Sequence, residues 1–445
     1  MENINRPDII EKIKQQFETG PYPRKSLEES PNTDYNFLFI HSLITAFYLR
    51  NRTVINTEGK VILDAGCGSG YKALALAEAN PGARIVGIDF SEQSVKLAQK
   101  RLEYHGFNNT EFHAISIEEL PILGQKFDYI NCDDVLYLLP DLQTGLKTLK
   151  SVLKPKGIIR GNLHSRLQRD TFYRAQSAFK MMGLMNDNPG ELEISIVRDL
   201  MKSLKTSVYL KKYTWKQNRE DDEEFYLANY LLQGDTGYTI PELFAALKAA
   251  NLEFVSMVNW RHWDISDLFD EPDNLPAFIA MSLPELDEEQ RLHLFELFHP
   301  VHRLLDFWCA HPSEADSFTP IEQWSDTDWR TARVYLHPQI ASDKLRQDLL
   351  KAISCHQPCE ISRYVPSPTM VPLRISATVG ACLLPLWEEP QSVQSLVERW
   401  LKLRPVDLVT LESVSEQRAF EEVKDFLSDL EVFLYVLLQR SEPSP

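Results

Sequence analysis

A carboxylate, three glycines and a second carboxylate follow one another in an order that can build a ligand site. In residues 60–76, KVILDAGCGSGYKALAL, a short apolar run leads to Asp64, the turn Ala65-Gly66-Cys67-Gly68-Ser69-Gly70 follows, and Ala73 to Ala77 continue as helix formers. The apolar run suits a strand covered on both faces, the glycines let the backbone turn tightly, and the free N–H groups of the helix then point into the turn. Asp64 directly before the glycines would repel a pyrophosphate and welcome a cation, while a ligand carboxylate could sit against the helix N-terminus. A second strand, residues 83–90 (ARIVGIDF), carries Asp89 about 20 residues beyond the turn, a spacing suited to accepting hydrogen bonds from ribose hydroxyls. Further on, residues 127–132 read as a strand followed by Asp133, Asp134 and Tyr137, and residues 158–163 as another, with Asn162 at its end and His164 just beyond. Acids, a phenol and an imidazole at the carboxyl ends of central strands can orient or deprotonate an acceptor. The two adjacent acids would equally suit the positive start of a helix.

Strand, glycine turn, helix, strand and acid in this order resemble the class I S-adenosylmethionine-dependent methyltransferases, whose first motif is matched by Asp64, Ala65, Gly66, Cys67, Gly68, Ser69 and Gly70. The resemblance is clear over residues 55–165. It implies an α/β fold with a doubly wound, seven-stranded, mostly parallel sheet, and S-adenosyl-L-methionine as cofactor. On this reading Asp64 and the turn through Gly70 hold the amino-acid end, Asp89 and Phe90 the ribose, and Ser116 and Ile117 the adenine, with Cys132 at the end of the strand that faces the methyl group. The family often has Asp where Ser116 stands. Asp133, Asp134, Tyr137 and His164 become the candidates for orienting or deprotonating the acceptor.

The remaining elements are arranged around this block. Residues 1–50 read as a helical N-terminal cap, with Ile9, Ile10, Ile13 and Phe17 at helical spacing and a break at Gly20 and Pro21; the resemblance implies a lead segment that folds over the cofactor, so Tyr22 and Arg24 are expected to help close the site, or else to belong to a surface loop with one packed tyrosine. Residues 51–311 form the methyltransferase domain. A helical insertion, residues 165–239, offers Phe172, Tyr173, Arg174 and Gln176 as candidate substrate contacts, and the seventh strand is expected at residues 303–309. Residues 312–445 read as a smaller, winged-helix-like α/β domain for interaction or regulation. The layout is similar to bacterial protein lysine methyltransferases with a C-terminal regulatory domain, which implies a protein substrate.

A net charge of −17 argues against a sequence-independent nucleic-acid binder. Six scattered cysteines suit a reducing compartment, no apolar stretch is long enough to span a bilayer, and a cytoplasmic protein is expected. Cys355-His356-Gln357-Pro358-Cys359 lacks a second pair at zinc-like spacing, so no metal is expected. The sequence thus predicts transfer of a methyl group to a nucleophile, in the first place a protein side-chain nitrogen. A small-molecule O- or N-methyltransferase and a non-catalytic cofactor-binding regulator remain open.

Overall fold

The computed structural model describes residues 22–312, 318–369, 371–407 and 409–440; the helix expected over residues 1–19 lies outside them. Eight strands form the main sheet: β1 (Val61–Ala65), β2 (Arg84–Asp89), β3 (Thr110–Ala114), β4 (Phe127–Cys132), β5 (Leu153–Ser165), the two-residue β6 (Gly237–Tyr238), β7 (Glu253–Met257) and β8 (Leu304–Ala310). Their order is β3-β2-β1-β4-β5-β8-β7, with β6 against the end of β5. The first five strands in this order pair in parallel, and β8 runs antiparallel to both β5 and β7. The order reverses between β1 and β4, the place where doubly wound sheets open a crevice at their carboxyl ends. Register puts Asp64 of β1 beside Gly87 of β2 and Asn131 of β4, so Asp64, Asp89 and Cys132 end side by side.

Local chemistry explains these elements. The strands β1, β2 and β4 are buried almost throughout, as a sheet covered on both faces requires. The helix Glu92–Tyr104 starts at Ser91, whose hydroxyl accepts the Ser94 N–H at 3.2 Å. One boundary differs from expectation. The strand expected over residues 158–163 begins earlier, at Leu153, and its register jumps from Phe127 opposite Leu153 to Tyr129 opposite Ile158. Pro155 has no N–H to keep the ladder, so the strand bulges there instead of ending.

The insertion contains the helices Arg166–Met181 and Glu191–Ser203 and has its own apolar core, in which Phe179, Val197 and Met201 meet Tyr226 and Tyr230. Beyond the sheet, the helices Asp343–Ser354, Val393–Leu403 and Glu416–Glu431 surround a small antiparallel sheet of Arg333–Leu336, Gln391–Ser392 and Val436–Gln439, with the first strand in the middle. That C-terminal core takes in Phe39, Ile44 and Tyr48 from the helices Tyr35–His41 and Leu43–Asn51. The second of these helices also packs Leu43, Ala46 and Phe47 against Ile62 and Leu74 of the main sheet layer. The Tyr48 hydroxyl lies 2.9 Å from Glu431 and accepts the Leu438 N–H at 2.9 Å. One short helix thus belongs to two cores.

Candidate active site

A cavity of about 640 Å³ opens at the carboxyl ends of β1, β2 and β4, within the size range of small-molecule sites. Gly66, Cys67 and Gly68 form its floor, Asp89 and Phe90 one side, and Ser116 and Ile117 another. Gly66 and Gly68 have φ of +83° and +47°, and a Cβ on them would fall 2.3 Å from the Val135 side chain and 2.1 Å from the Tyr22 carbonyl. Only glycine lets those neighbours come so close. The lead segment is tied over the turn: Ser69 donates its N–H to Tyr22 O at 2.8 Å and its hydroxyl to Pro23 O at 2.8 Å. The buried Arg101 guanidinium adds bonds to Ser69 O at 2.9 Å and Lys25 O at 2.9 Å.

Each expected cofactor residue has a definite place. Asp89 accepts the Gly68 N–H at 3.0 Å and the Ser91 N–H at 2.9 Å, and faces the cavity; burial raises its pKa. Asp64, 1% exposed, accepts from Asn131 Nδ2 at 2.8 Å through one oxygen, while its other oxygen and the Asn131 carbonyl oxygen have no partner. Burial pushes its pKa up to about 6 against that hydrogen bond. Buried acceptors left open in this way fit a cationic ligand nearby. Asp64, Ala65, Gly70 and Cys132 do not line the cavity; a Cβ on Gly70 would meet Ala98 Cα at 2.6 Å, so this glycine serves helix packing. The Ser116 N–H donates to Glu119 at 2.9 Å.

The acids after β4 have different surroundings. Lys72, on the helix Tyr71–Ala79, bridges Asp133 at 2.8 Å and Asp134 at 2.8 Å. Asp133 also accepts from Asn162 and lies 3.7 Å from Arg160, which pairs with Asp306 at 2.8 Å and donates toward His41 Nε2 at 3.0 Å. Burial alone would raise the Asp133 pKa, but Lys72 and Arg160 override it and hold the carboxyl well below the usual carboxylate range. Asp133 is therefore locked as an anion inside a buried charge network. Asp134 sits at φ +63°, with its N–H on Asn162 Oδ1 at 2.9 Å, and accepts the Tyr137 hydroxyl at 3.3 Å. A non-glycine residue in the left-handed region, held by three neighbours, marks a position where side-chain direction matters.

A second cavity, about 80 Å³, adjoins the first, and Tyr22, Asp134 and Leu138 line both. Its other walls are Tyr137 and Arg303 below and Glu224, Leu227 and Ala228 of the insertion above. Burial first, then Asp222, raises the Glu224 pKa. Tyr137 stacks on His164 with ring centroids 3.7 Å apart. His164 is enclosed: Nδ1 lies 2.6 Å from Asp235 and Nε2 3.1 Å from Arg303 Nη2. Burial lowers its pKa to about 4 against the pull of Asp235, so the ring is neutral, with Nδ1 donating and Nε2 accepting. Asp235 also binds Arg169 at 2.8 Å and Gln176 at 2.9 Å, and despite burial the hydrogen bond from His164, the Arg169 charge and the Gln176 amide bring it down to about 2.

Sequence reading singled out Phe172, Tyr173, Arg174 and Gln176 in the insertion, and none of the four lines either cavity. Phe172 packs on Tyr230, Tyr173 and Gln176 face Asp235, and Arg174 pairs with Asp170 on the surface. The residues that do reach the second cavity lie in the turn after Asp222, where the helix widens to a π-helix over Tyr226–Tyr230. The only hint in the sequence was the acidic run from Glu220 to Glu224.

Comparison with known proteins agrees with this geometry. A family model described as a methyltransferase domain matches residues 56–226. The uncharacterized protein syc1184_c of Synechococcus sp. is 26% identical over 329 residues, 72% of this chain and 76% of that protein. Demethylmenaquinone methyltransferase of Geobacillus stearothermophilus is 35% identical over 102 residues, which span 23% of this chain and 44% of the enzyme. The structure of PKMT2 from Rickettsia typhi has the same fold, with a TM-score of 0.58 at 18% identity over 95% of this chain and 78% of that one.

Proposed function

The chain carries a methyltransferase domain of the class I, S-adenosylmethionine-dependent kind, and on that premise we propose that it methylates a side-chain nitrogen of a protein, an amine of the lysine type. The observation that carries this reading is the shape and lining of the second cavity. Its volume of about 80 Å³ is roughly half the ~150 Å³ that admits a benzene ring. Such a space suits a slender alkyl amine better than a quinone ring. Asp134, Glu224 and the hydroxyls of Tyr22 and Tyr137 supply acceptors for amine hydrogens.

In the first cavity, Asp89 would bind the ribose hydroxyls, the backbone and side chains around Ser116 and Ile117 the adenine, and the glycine turn with Asp64 the amino-acid end. When bound, the cofactor supplies a methyl group on a cationic sulfur. The chain then has two tasks: to hold the acceptor nitrogen in line with that group, and to leave it with a free lone pair. Asp134, standing at the junction of the two cavities, orients the nitrogen, and Lys72 and Asn162 fix Asp134. Enclosure between Leu138, Leu227 and Leu232 disfavours the ammonium form of the acceptor. Glu224, whose pKa burial and Asp222 have raised, receives the proton. Asp133 and His164 act as supports: one anchors Lys72, the other carries the Tyr137 ring.

Transfer of a radiolabelled methyl group in cell lysate tests the reading. Label in a protein band, recovered as methylated lysine after hydrolysis, is the expected result. Label confined to an organic extract would point to a small-molecule acceptor, and no label from folded, cofactor-saturated protein would overturn catalysis.

A further inference from the structure

Between Asp199 and Glu220 the chain has six cationic side chains, Lys202, Lys205, Lys211, Lys212, Lys216 and Arg219, and no acid, within a protein of net charge −17. This run forms the outer face of the insertion. Three of the six are committed to the fold. Lys202 pairs with Glu220, Arg219 pairs with Asp222 at 2.8 Å, and Lys211 donates to the carbonyls of Lys202 and Leu204 at 2.7 and 2.8 Å. Lys205, Lys212 and Lys216 are exposed, and no carboxylate pairs with them among the described residues. Between them stand Tyr209 and Tyr213, 54% and 56% exposed. The inner face of the same helix, Tyr209–Thr214, bonds to the wall of the acceptor cavity: the Tyr230 hydroxyl lies 2.9 Å from Thr214 Oγ1, and Tyr230 closes the π-helix that contributes Leu227 and Ala228. The helix that carries Lys212 thus packs against the element that lines the pocket, with Lys205 and Lys216 on the chain either side of it.

We infer that this face, centred on Lys205, Lys212, Lys216 and the two tyrosines, docks an acidic segment of the protein whose lysine enters the second cavity. The inference rests on the protein-acceptor reading above and adds what the substrate carries near its methylated side chain. Charge is the first argument: the rest of this chain repels acidic partners, so an unpaired basic patch beside the site selects where such a partner can approach. The tyrosines are the second. Their rings lie 4.6 Å apart, Arg174 stands over Tyr209 at 5.5 Å and Lys212 over Tyr213 at 5.1 Å. Each ring already meets a cation and the other ring, tilted by 49°, so the pair spaces the cations along this face.

The test uses the full chain, wild type and the triple variant K205E/K212E/K216E, with a fluorescein-labelled peptide of one lysine flanked by glutamates. Anisotropy should report binding by the wild type that weakens as salt rises from about 0.01 to about 0.15 M, where the Debye length falls from about 30 to about 8 Å. The triple variant should bind about tenfold or more weakly while its calorimetric affinity for S-adenosylmethionine is unchanged. K205Q/K212Q/K216Q, which avoids like-charge strain, should lose binding in the same direction and serves if the reversal variant does not fold. Equal affinity in wild type and variants, absence of salt-dependent binding by the wild type, or tighter binding of a single-stranded oligoribonucleotide of equal charge would each overturn the inference. Because no methyl transfer is read, its failure is separate from failure of the proposed acceptor class.

Discussion

Asp89 and Asp221 are both acids of this chain, yet only Asp89 faces the cofactor cavity. Asp89→Ala removes a carboxylate that fixes the Gly68 N–H and that, on the proposed reading, would bind two ribose hydroxyls. Loss of charge-assisted hydrogen bonds of about 1.5–3 kcal/mol corresponds to roughly tenfold to hundredfold weaker cofactor binding. Asp221→Ala should leave the calorimetric affinity unchanged, and equal effects of the two would remove the ribose assignment. His164 gives a prediction on stability. Its pKa in the fold is about 4, against an ordinary value of 6.5, so between these values the unfolded chain binds more protons than the folded one. Stability is therefore unaffected by His164 above about pH 6.5 and lost as pH falls toward 4, by up to about 1.4 kcal/mol per pH unit. Urea midpoints between pH 7.5 and 5 should fall more steeply for wild type than for His164→Gln; parallel curves would mean that the ring does not stay neutral.

At the scale of elements, the insertion supplies the ceiling of the acceptor cavity while the sheet ends supply the floor. Filling that ceiling should separate the two cavities functionally. Ala228→Trp places a bulky indole on the wall of the second cavity, so it should abolish detectable methyl transfer while cofactor affinity stays within about twofold of wild type. Retained turnover would show that the acceptor enters elsewhere. The same contrast explains what could be read from sequence. The block from Asp64 through Asp89 to Cys132 is local: strand, turn and helix follow one another, so periodicity and glycine spacing carry their positions. The seventh strand was legible for the same reason, as the apolar run at Leu304–Ala310. The ceiling was not, because Glu224 and Ala228 reach the cavity through packing of Tyr226 and Tyr230 on helices some 30 to 50 residues earlier in the chain. Nor could sequence tell Asp133 from Asp134. One is buried by Lys72, Asn162 and Arg160 and its neighbour turned outward at φ +63°, a difference set by tertiary contacts alone.

For the whole molecule, the helix Leu43–Asn51 joins the main sheet to the C-terminal core, since Phe47 packs on one and Tyr48 on the other. Thr45 adds a hydroxyl 3.0 Å from His337 Nε2, and Arg52 pairs with Glu431. Two cores that share a helix should melt together. Calorimetry should therefore give a single unfolding transition, and Tyr48→Phe, which leaves the buried Glu431 and the Leu438 N–H short of a partner, should lower stability by about 1–3 kcal/mol in that one transition. Two separated transitions would mean that the modules are energetically independent.

The segment bound over the glycine turn has a kinetic consequence. Tyr22 and Pro23 accept the hydrogen bonds of Ser69, Arg101 grips Lys25, and Tyr22 forms part of the wall between the two cavities. A nucleoside held against this strap is expected to leave more slowly than an acceptor in the outer cavity, which departs past Glu224. Turnover should accordingly be sequential and ordered, the methylated protein dissociating first and S-adenosylhomocysteine last. Product-inhibition patterns read that order directly, with S-adenosylhomocysteine competing against the methyl donor and not against the acceptor. Loosening the strap through Ser69→Ala should speed the final release and raise the steady-state rate wherever that departure limits it.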